Sequence, residues 1–260
     1  MNVEKIIGNA KEYQTVSEAD KTVALIPRAI RAALNPIEKW IMGKEYNLKE
    51  TEMLLAKKLK SVDPEKIVSP PPYVAIPALQ AISYCMDNAE LRDLYAELLK
   101  NAMTVDTIDN VHPTFVEIIK QMSPFDAVIF KKLAQQLVVP CLGVRYEKQD
   151  KIGYPIIDCY AIEDTKNFPI IQTQFAIENL ERLKLIDINK RFRYNNKQAY
   201  EELKKSEGFN KFINDYINAN AEALPMDKYS VQIEEYGIMV RAFGQFFAKA
   251  CTDITWQDVI

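Results

Sequence analysis

Apolar positions recur at three- and four-residue steps through the first half of the chain, and at two-residue steps in parts of the second. From Thr22 to Trp40, the residues Val23, Ile26, Ile30, Leu34 and Ile37 mark a helical stripe, bent or broken where Pro36 removes a backbone donor. Leu48 to Val62 predicts a second amphipathic helix, with Leu48, Leu55 and Leu59 on one face and lysines on the remaining surface. Asp63-Pro64 supplies a cap and a first-turn proline for a short turn, and Pro70-Pro71-Pro72 imposes a rigid bend. Tyr73 to Met86 is apolar nearly all round, the pattern of a helix at the centre of a bundle. Asp87 or Asn88 caps the next helix, whose stripe is Leu91, Leu94, Tyr95, Leu98 and Ala102. His112-Pro113 opens a helix carrying Phe115, Val116, Ile119 and Met122. Ser123-Pro124-Phe125-Asp126 opens another, running to about Leu137, with serine as cap, proline in the first position and an acid in the third.

The pattern changes after Leu137. Val138-Val139 and Tyr154 to Tyr160 are β-prone and are separated by the polar run EKQDKIG. QTQFAIENLERLKL then predicts a helix with Phe175, Ile177, Leu180 and Leu183 as its apolar set. LIDINKRFRYN alternates as a strand does, a polar helical insert covers about 197–223, and YSVQIEEYGIMV alternates again before the closing helix AFGQFFAKACT. Helix, hairpin, helix and two further strands is the order of a winged helix. The expected fold is therefore mainly α: an N-terminal helical bundle over 1–122, then a winged-helix (α+β) domain over 123–260 with a helical insert in its wing. The wing strands are expected near 185–193 and 229–240.

Composition narrows the chemistry more than it names a function. There is one histidine in 260 residues, and the 7 glycines fall well below the usual share of roughly 7%. Neutral-pH acid–base catalysis has little to work with, and Gly-rich phosphate loops are disfavoured. The net charge of −3 points to neither nucleic acid nor an anionic membrane. Cys85, Cys141, Cys159 and Cys251 lie far apart and form no metal-binding spacing, so they read as buried free thiols in a reducing, intracellular setting. The N-terminus has no apolar core of the kind a secretory signal needs. The apolar segment from Val23 to Gly43 carries Arg28, Arg31, Glu38 and Lys39, too many charges for a membrane span of ~20 residues.

Three sets of residues invite a sharper reading. Gln172, Gln174, Glu178, Asn179, Glu181, Arg182 and Lys184 lie where a winged helix would present a recognition helix, and Lys190, Arg191 and Arg193 follow in the wing. From Arg182 to Lys211 there are nine Lys/Arg against four Asp/Glu, but Glu178 and Glu181 would repel phosphate. Asp106, Asp109 and His112 could share a divalent ion, yet they fall in a polar turn where Asp and Asn serve the backbone. His112 is better explained as a helix-start residue whose ring bonds a nearby carbonyl. Cys141 has Arg145 four residues on, with no histidine nearby in sequence to activate it, and reads as inert.

PPPYVAIPALQAI from Pro70, AELRDLYAELLKNAM from Ala89 and NVHPTFVEIIKQMSPFDAVIFKKL from Asn110 together resemble the Abi-alpha (abortive infection alpha) family. NLERLKLI and the ending AFGQFFAKAC resemble its C-terminal half, although Val240-Arg241-Ala242 stands where the family has a Thr-containing turn before Phe243-Gly244. The resemblance implies a cytoplasmic bacterial protein associated with phage exclusion, and it implies neither an enzyme nor a cofactor. It carries over Pro71, Pro72, Pro77, Leu91, Leu98, His112, Pro113, Phe115, Ile118 and Ser123 as framework residues, with the groove beside His112 as the expected functional surface. The resulting expectation is a non-enzymatic phage-defence protein working through an unidentified protein partner. The alternatives are a winged-helix nucleic-acid binder using Arg182, Lys184, Lys190, Arg191 and Arg193, and an effector acting on a membrane surface through Val23 to Ile41.

Overall fold

The structure, a computed structural model, describes residues 25–35, 48–85, 87–148, 153–163, 165–222, 229–254 and 256. Residues 4–20, whose polar sequence reads as a short helix or a frayed arm, and the helix bend or break expected at Pro36 lie outside these residues. The protein is mainly helical with a small antiparallel sheet, and it divides into two compact units. One comprises the described residues of 1–121 and 250–253. The other comprises those of 122–249 and 254–260.

In the first unit, α1 (residues 25–35) turns Ile26, Ile30, Ala33 and Leu34 inward, so the described part of the early apolar stripe is used as core. It lies by α2 (Leu48–Leu59), whose Leu55 and Leu59 are fully buried, and Ser69 Oγ donates to the Ala33 carbonyl at 2.8 Å. Asp63 caps a single 3-10 turn over Pro64–Lys66 by accepting from the Glu65 N–H, as its position before a proline predicts. Pro71 and Pro72 start α3 (Pro72–Ile82), which buries Val74, Ala75, Ala78, Leu79, Ala81 and Ile82. Pro77 lies inside that helix and leaves the Tyr73 carbonyl without its usual helical donor.

α4 (Ala89–Ala102) packs its leucine stripe against α2 and α3, with Leu91 and Leu98 both buried. Its polar partner is a short ion network. The side chain of Glu97 is 4% exposed and is held by Lys58 at 3.0 Å and Lys100 at 2.5 Å, while Lys58 also meets Asp93. Burial lowers the Lys58 pKa, but these carboxylates more than offset that and hold it above the usual lysine value. α5 (Thr114–Lys120) closes the unit by burying Phe115, Val116, Ile118 and Ile119. Cys251, at the end of the chain's last helix, is fully buried here, and burial pushes its thiol far up.

The second unit opens on α6 (Pro124–Ala134), where Ser123 and Asp126 form a full capping box. Leu137 then takes a left-handed turn at φ 57°, and the chain enters β1 (Val138–Lys148). β2 (Gly153–Tyr160) pairs back on it, followed by α7 (Ile170–Arg182) and β3 (Ile186–Asn189). The predicted insert is two helices, α8 (Lys197–Lys205) and α9 (Glu207–Ala219). β4 (Tyr229–Val240) and α10 (Ala242–Cys251) are the last elements among the described residues. All pairings are antiparallel in the order β2-β1-β4-β3, so β4 is an inner strand that joins the hairpin to β3.

Two expectations need correction. The third strand stops at Asn189 rather than near 193, because the Asn189 side chain accepts from the Arg191 and Phe192 N–H groups and turns the chain away. The four cysteines are not all free: Cys141 on β1 and Cys159 on β2 are paired as a disulfide, with their Cα atoms 5.7 Å apart. Hairpin pairing brings together two residues that are 18 apart in sequence. The insert is held by its aromatics. Tyr200 is 1% exposed and donates to the Tyr236 carbonyl at 3.0 Å, while Phe209 meets the Tyr160 ring at 5.0 Å. Gly244 in α10 lies directly on the Leu185 carbonyl, where any Cβ would collide, which is why glycine follows Phe243 there.

Candidate functional site

At the expected surface beside His112, the imidazole bonds the backbone. His112 is exposed, and its Nδ1 accepts from the Thr114 N–H at 3.2 Å, so the ring caps α5 and does not bond a carbonyl as the sequence suggested. The Phe115 ring lies 6.0 Å away and belongs to the core. Pro113 occupies the cap position of α5. Asp106 pairs with Lys66 at 2.7 Å, and among the described residues no group of three His, Cys, Asp or Glu could hold a metal. A groove of about 530 Å³ opens elsewhere in this unit, between α1 and the Pro64–Lys66 turn. It is lined by Leu25, Arg28, Ala32, Asp63, Pro64 and Glu65.

In the second unit, α7 has two contrasting faces. Its inward stripe is Ile170, Thr173, Ala176, Ile177 and Leu180, continued by Leu183 in the turn that follows. Phe175 was expected in that stripe but falls outside it. At 100° per residue it stands off the line from Thr173 through Ile177 to Leu180, and it is 68% exposed. Ile171, one turn earlier, is 57% exposed. Ile171, Phe175, Glu178 and Arg182 therefore form an outward stripe at steps of four, three and four, apolar at its N-terminal end and charged at the other.

The outward stripe rests on a fixed base. Asn179 donates from Nδ2 to Asp126 Oδ2 at 2.9 Å, which ties α7 to the capping box of α6. Arg182 in turn donates to Asn179 Oδ1 through Nε at 3.0 Å and Nη2 at 2.8 Å. Glu181 accepts from the Ile188 N–H at 3.0 Å, so this acid serves the edge of β3. Gln174 Nε2 donates to Glu178 at 2.9 Å. The C-terminus of α7 is closed by Lys184 at φ 61°, with Lys184 N–H bonding the Glu181 carbonyl and Leu185 N–H the Leu180 carbonyl, as in a Schellman turn. At the entrance to α7, the Phe125 and Phe168 rings meet at 6.3 Å, and Lys132 lies 5.2 Å above Phe168.

The five basic residues expected to reach nucleic acid do not act alike. Arg182 belongs to the network above, and Lys190 pairs with Asp158 at 3.4 Å beside the Tyr236 ring. Lys184, Arg191 and Arg193 are exposed, the first in the turn after α7 and the others in the turn after β3. Arg145 is half-buried on β1, and Cys141, four residues before it, is held by Cys159. Among the described residues no helix is long and apolar enough to cross a membrane. Sequence reading missed Ile171 and Phe175 as surface residues; the available signal was the run of Ile170, Thr173, Ala176 and Leu180 at steps of three, three and four, which leaves both outside the buried line.

The comparisons with known proteins agree with the motifs. A family model described as Abortive infection alpha matches residues 43–251. No curated protein matches the chain. One similar solved structure is an uncharacterized protein from the hydrocarbon-degrading marine bacterium Alcanivorax borkumensis SK2. It is 11% identical, with a TM-score of 0.35 over 52% of this chain and 90% of that one.

Proposed function

The chain belongs to the abortive infection alpha family, and from that premise we propose that it is a non-enzymatic, phage-defence-associated protein acting through contact with another macromolecule. The observation that carries the contact reading is the outward stripe of α7, where Ile171 and Phe175 are exposed on a helix braced from behind by Asp126 and Asn179. Large apolar groups held out on a rigid element suit a protein partner better than a phosphate backbone. Several side chains with reactive potential are engaged in the fold: His112 as a cap, Asp106 with Lys66, Asp126 in the capping box, and Cys141 with Cys159. We read the N-terminal region, 1–122, as a helical bundle and 123–260 as a winged helix, with α7 in the recognition position and β3–β4 as its wing. The setting in this reading is the cytoplasm of a bacterium.

Exposed Lys184, Arg191 and Arg193 favour a second reading, contact with nucleic acid. The two separate in a phage challenge. The double change Ile171→Ser with Phe175→Ser is expected to abolish protection in a plaque assay at unchanged protein abundance, and Arg191→Glu with Arg193→Glu to preserve it. The reverse pattern, together with salt-dependent DNA binding by the unaltered chain, would replace the protein-contact reading with the nucleic-acid one.

A further inference from the structure

β2 is an edge strand, and its pairing with β1 shifts register twice, first between Leu142 and Val144 and again between Val144 and Arg145. Leu142 faces Tyr160 and Val144 faces Ile157, so β1 offers the single residue Gly143 where β2 has both Asp158 and Cys159. The Tyr236 ring lies over Gly143, where a side chain would collide with its hydroxyl, and that hydroxyl donates to the Asp158 carbonyl. The interrupted ladder is thus bridged by a tyrosine reaching from β4. Directly beside the interruption are Cys141 and Cys159, 0% and 2% exposed. On either side of the bulge, Ile157 and Tyr160 belong to the core cluster that also holds Ile170 at the start of α7 and Phe209 of the insert.

We propose that Cys141 and Cys159 are a reversible redox clasp, which fastens the edge strand to the sheet where backbone pairing fails. In the dithiol state, β2 is retained at this point by the Tyr236 hydroxyl and by the packing of Ile157 and Tyr160. In the disulfide state it is held covalently. Oxidation by a peroxide balances as two thiols and one H2O2 giving one disulfide and two waters: the two S–H bonds and the O–O bond break, and the S–S bond and two new O–H bonds form. Reduction by an external dithiol proceeds by two exchanges, which restore both thiols and leave the reductant as a cyclic disulfide. An edge strand can part from its one sheet neighbour, here once the Tyr236–Asp158 hydrogen bond also opens, which gives small reagents a route to sulfurs that are otherwise enclosed. This inference stands apart from the contact role of α7, because its readouts are chemical and structural.

The test uses the full chain, reduced with dithiothreitol and then treated with hydrogen peroxide, with thiols alkylated under denaturing conditions and peptides read by mass spectrometry. Four alkylated cysteines are expected before peroxide. After it, two are expected, Cys85 and Cys251, together with a peptide linking Cys141 to Cys159. Melting should rise by about 10 °C on oxidation. Amide exchange over residues 153–162 should slow on the order of tenfold. Cys141→Ser with Cys159→Ser should melt like the reduced chain and ignore peroxide; the wild-type comparison stands without it if that variant fails to fold. Absence of the linked peptide after peroxide, a linked peptide with unchanged melting and exchange, or a peroxide response surviving in the double variant would each overturn the clasp.

Discussion

The start of α5 and the face of α7 make a useful pair. Around α5 nearly every residue is a recognisable signal: the His112-Pro113 start, Phe115, Ile118 and then Ser123-Pro124. The structure spends them on caps and core. α7 carries no side-chain cap at its start, and its family-like motif NLERLKLI begins only at Asn179, yet the helix holds Ile171 and Phe175 out in solvent. Dense punctuation thus marks where the backbone needs direction. Under the proposed contact role, the apolar groups outside the buried stripe of α7 are its working surface.

The largest difference expected between the two regions is in stability. Phe115→Ala empties a core site and should cost about 3–5 kcal/mol in denaturant unfolding, whereas Phe175→Ala should change stability by less than about 0.5 kcal/mol. Comparable losses from the two would erase the distinction between framework and surface. Ser123→Ala should cost about 1 kcal/mol, since it removes one half of a capping box whose other half, Asp126, also holds Asn179 of α7. Fluorescence-monitored unfolding checks this, and a cost near zero would show that α7 is braced by something else.

The smallest and most gradual effect is on pH dependence, in the first unit. The Lys58 pKa lies above its ordinary 10.5 because Asp93 and Glu97 favour the charged form over the opposing effect of burial. A raised folded-state value contributes stability that is fully present below 10.5 and is lost as pH rises through the folded value. Burial also raises Tyr95, which adds a loss of the same sign in the alkaline range. Melting temperature should therefore stay level up to about pH 10 and then fall, less steeply in Lys58→Met. An identical slope in that variant would remove the Lys58 network from the account.

Much of the fold is legible in the sequence because the signals are local. Asp63-Pro64 and Ser123-Pro124-Phe125-Asp126 cap helices through contacts two or three residues away, and the leucine stripe of α4 follows from its period alone. The features that escape are those set by register or by distant packing. Cys141 meets Cys159 only through a hairpin whose register shifts twice, and no spacing rule encodes those shifts. The outward turn of Phe175 depends on which neighbouring positions the sheet and α6 claim, and a large apolar residue on a helix reads as core until those claims are known. The end of β3 was visible in principle, since Asn189 is a turn-forming residue, but the alternation of Phe192 and Tyr194 with arginines outweighed it.

The most direct test is a phage plaque assay in cells producing Phe175→Ser or His112→Ala, each at wild-type abundance and with a wild-type melting temperature. The contact account predicts that Phe175→Ser loses protection while His112→Ala keeps it. Full protection by Phe175→Ser, or its loss with His112→Ala alone, would contradict the assignment of the working surface to α7.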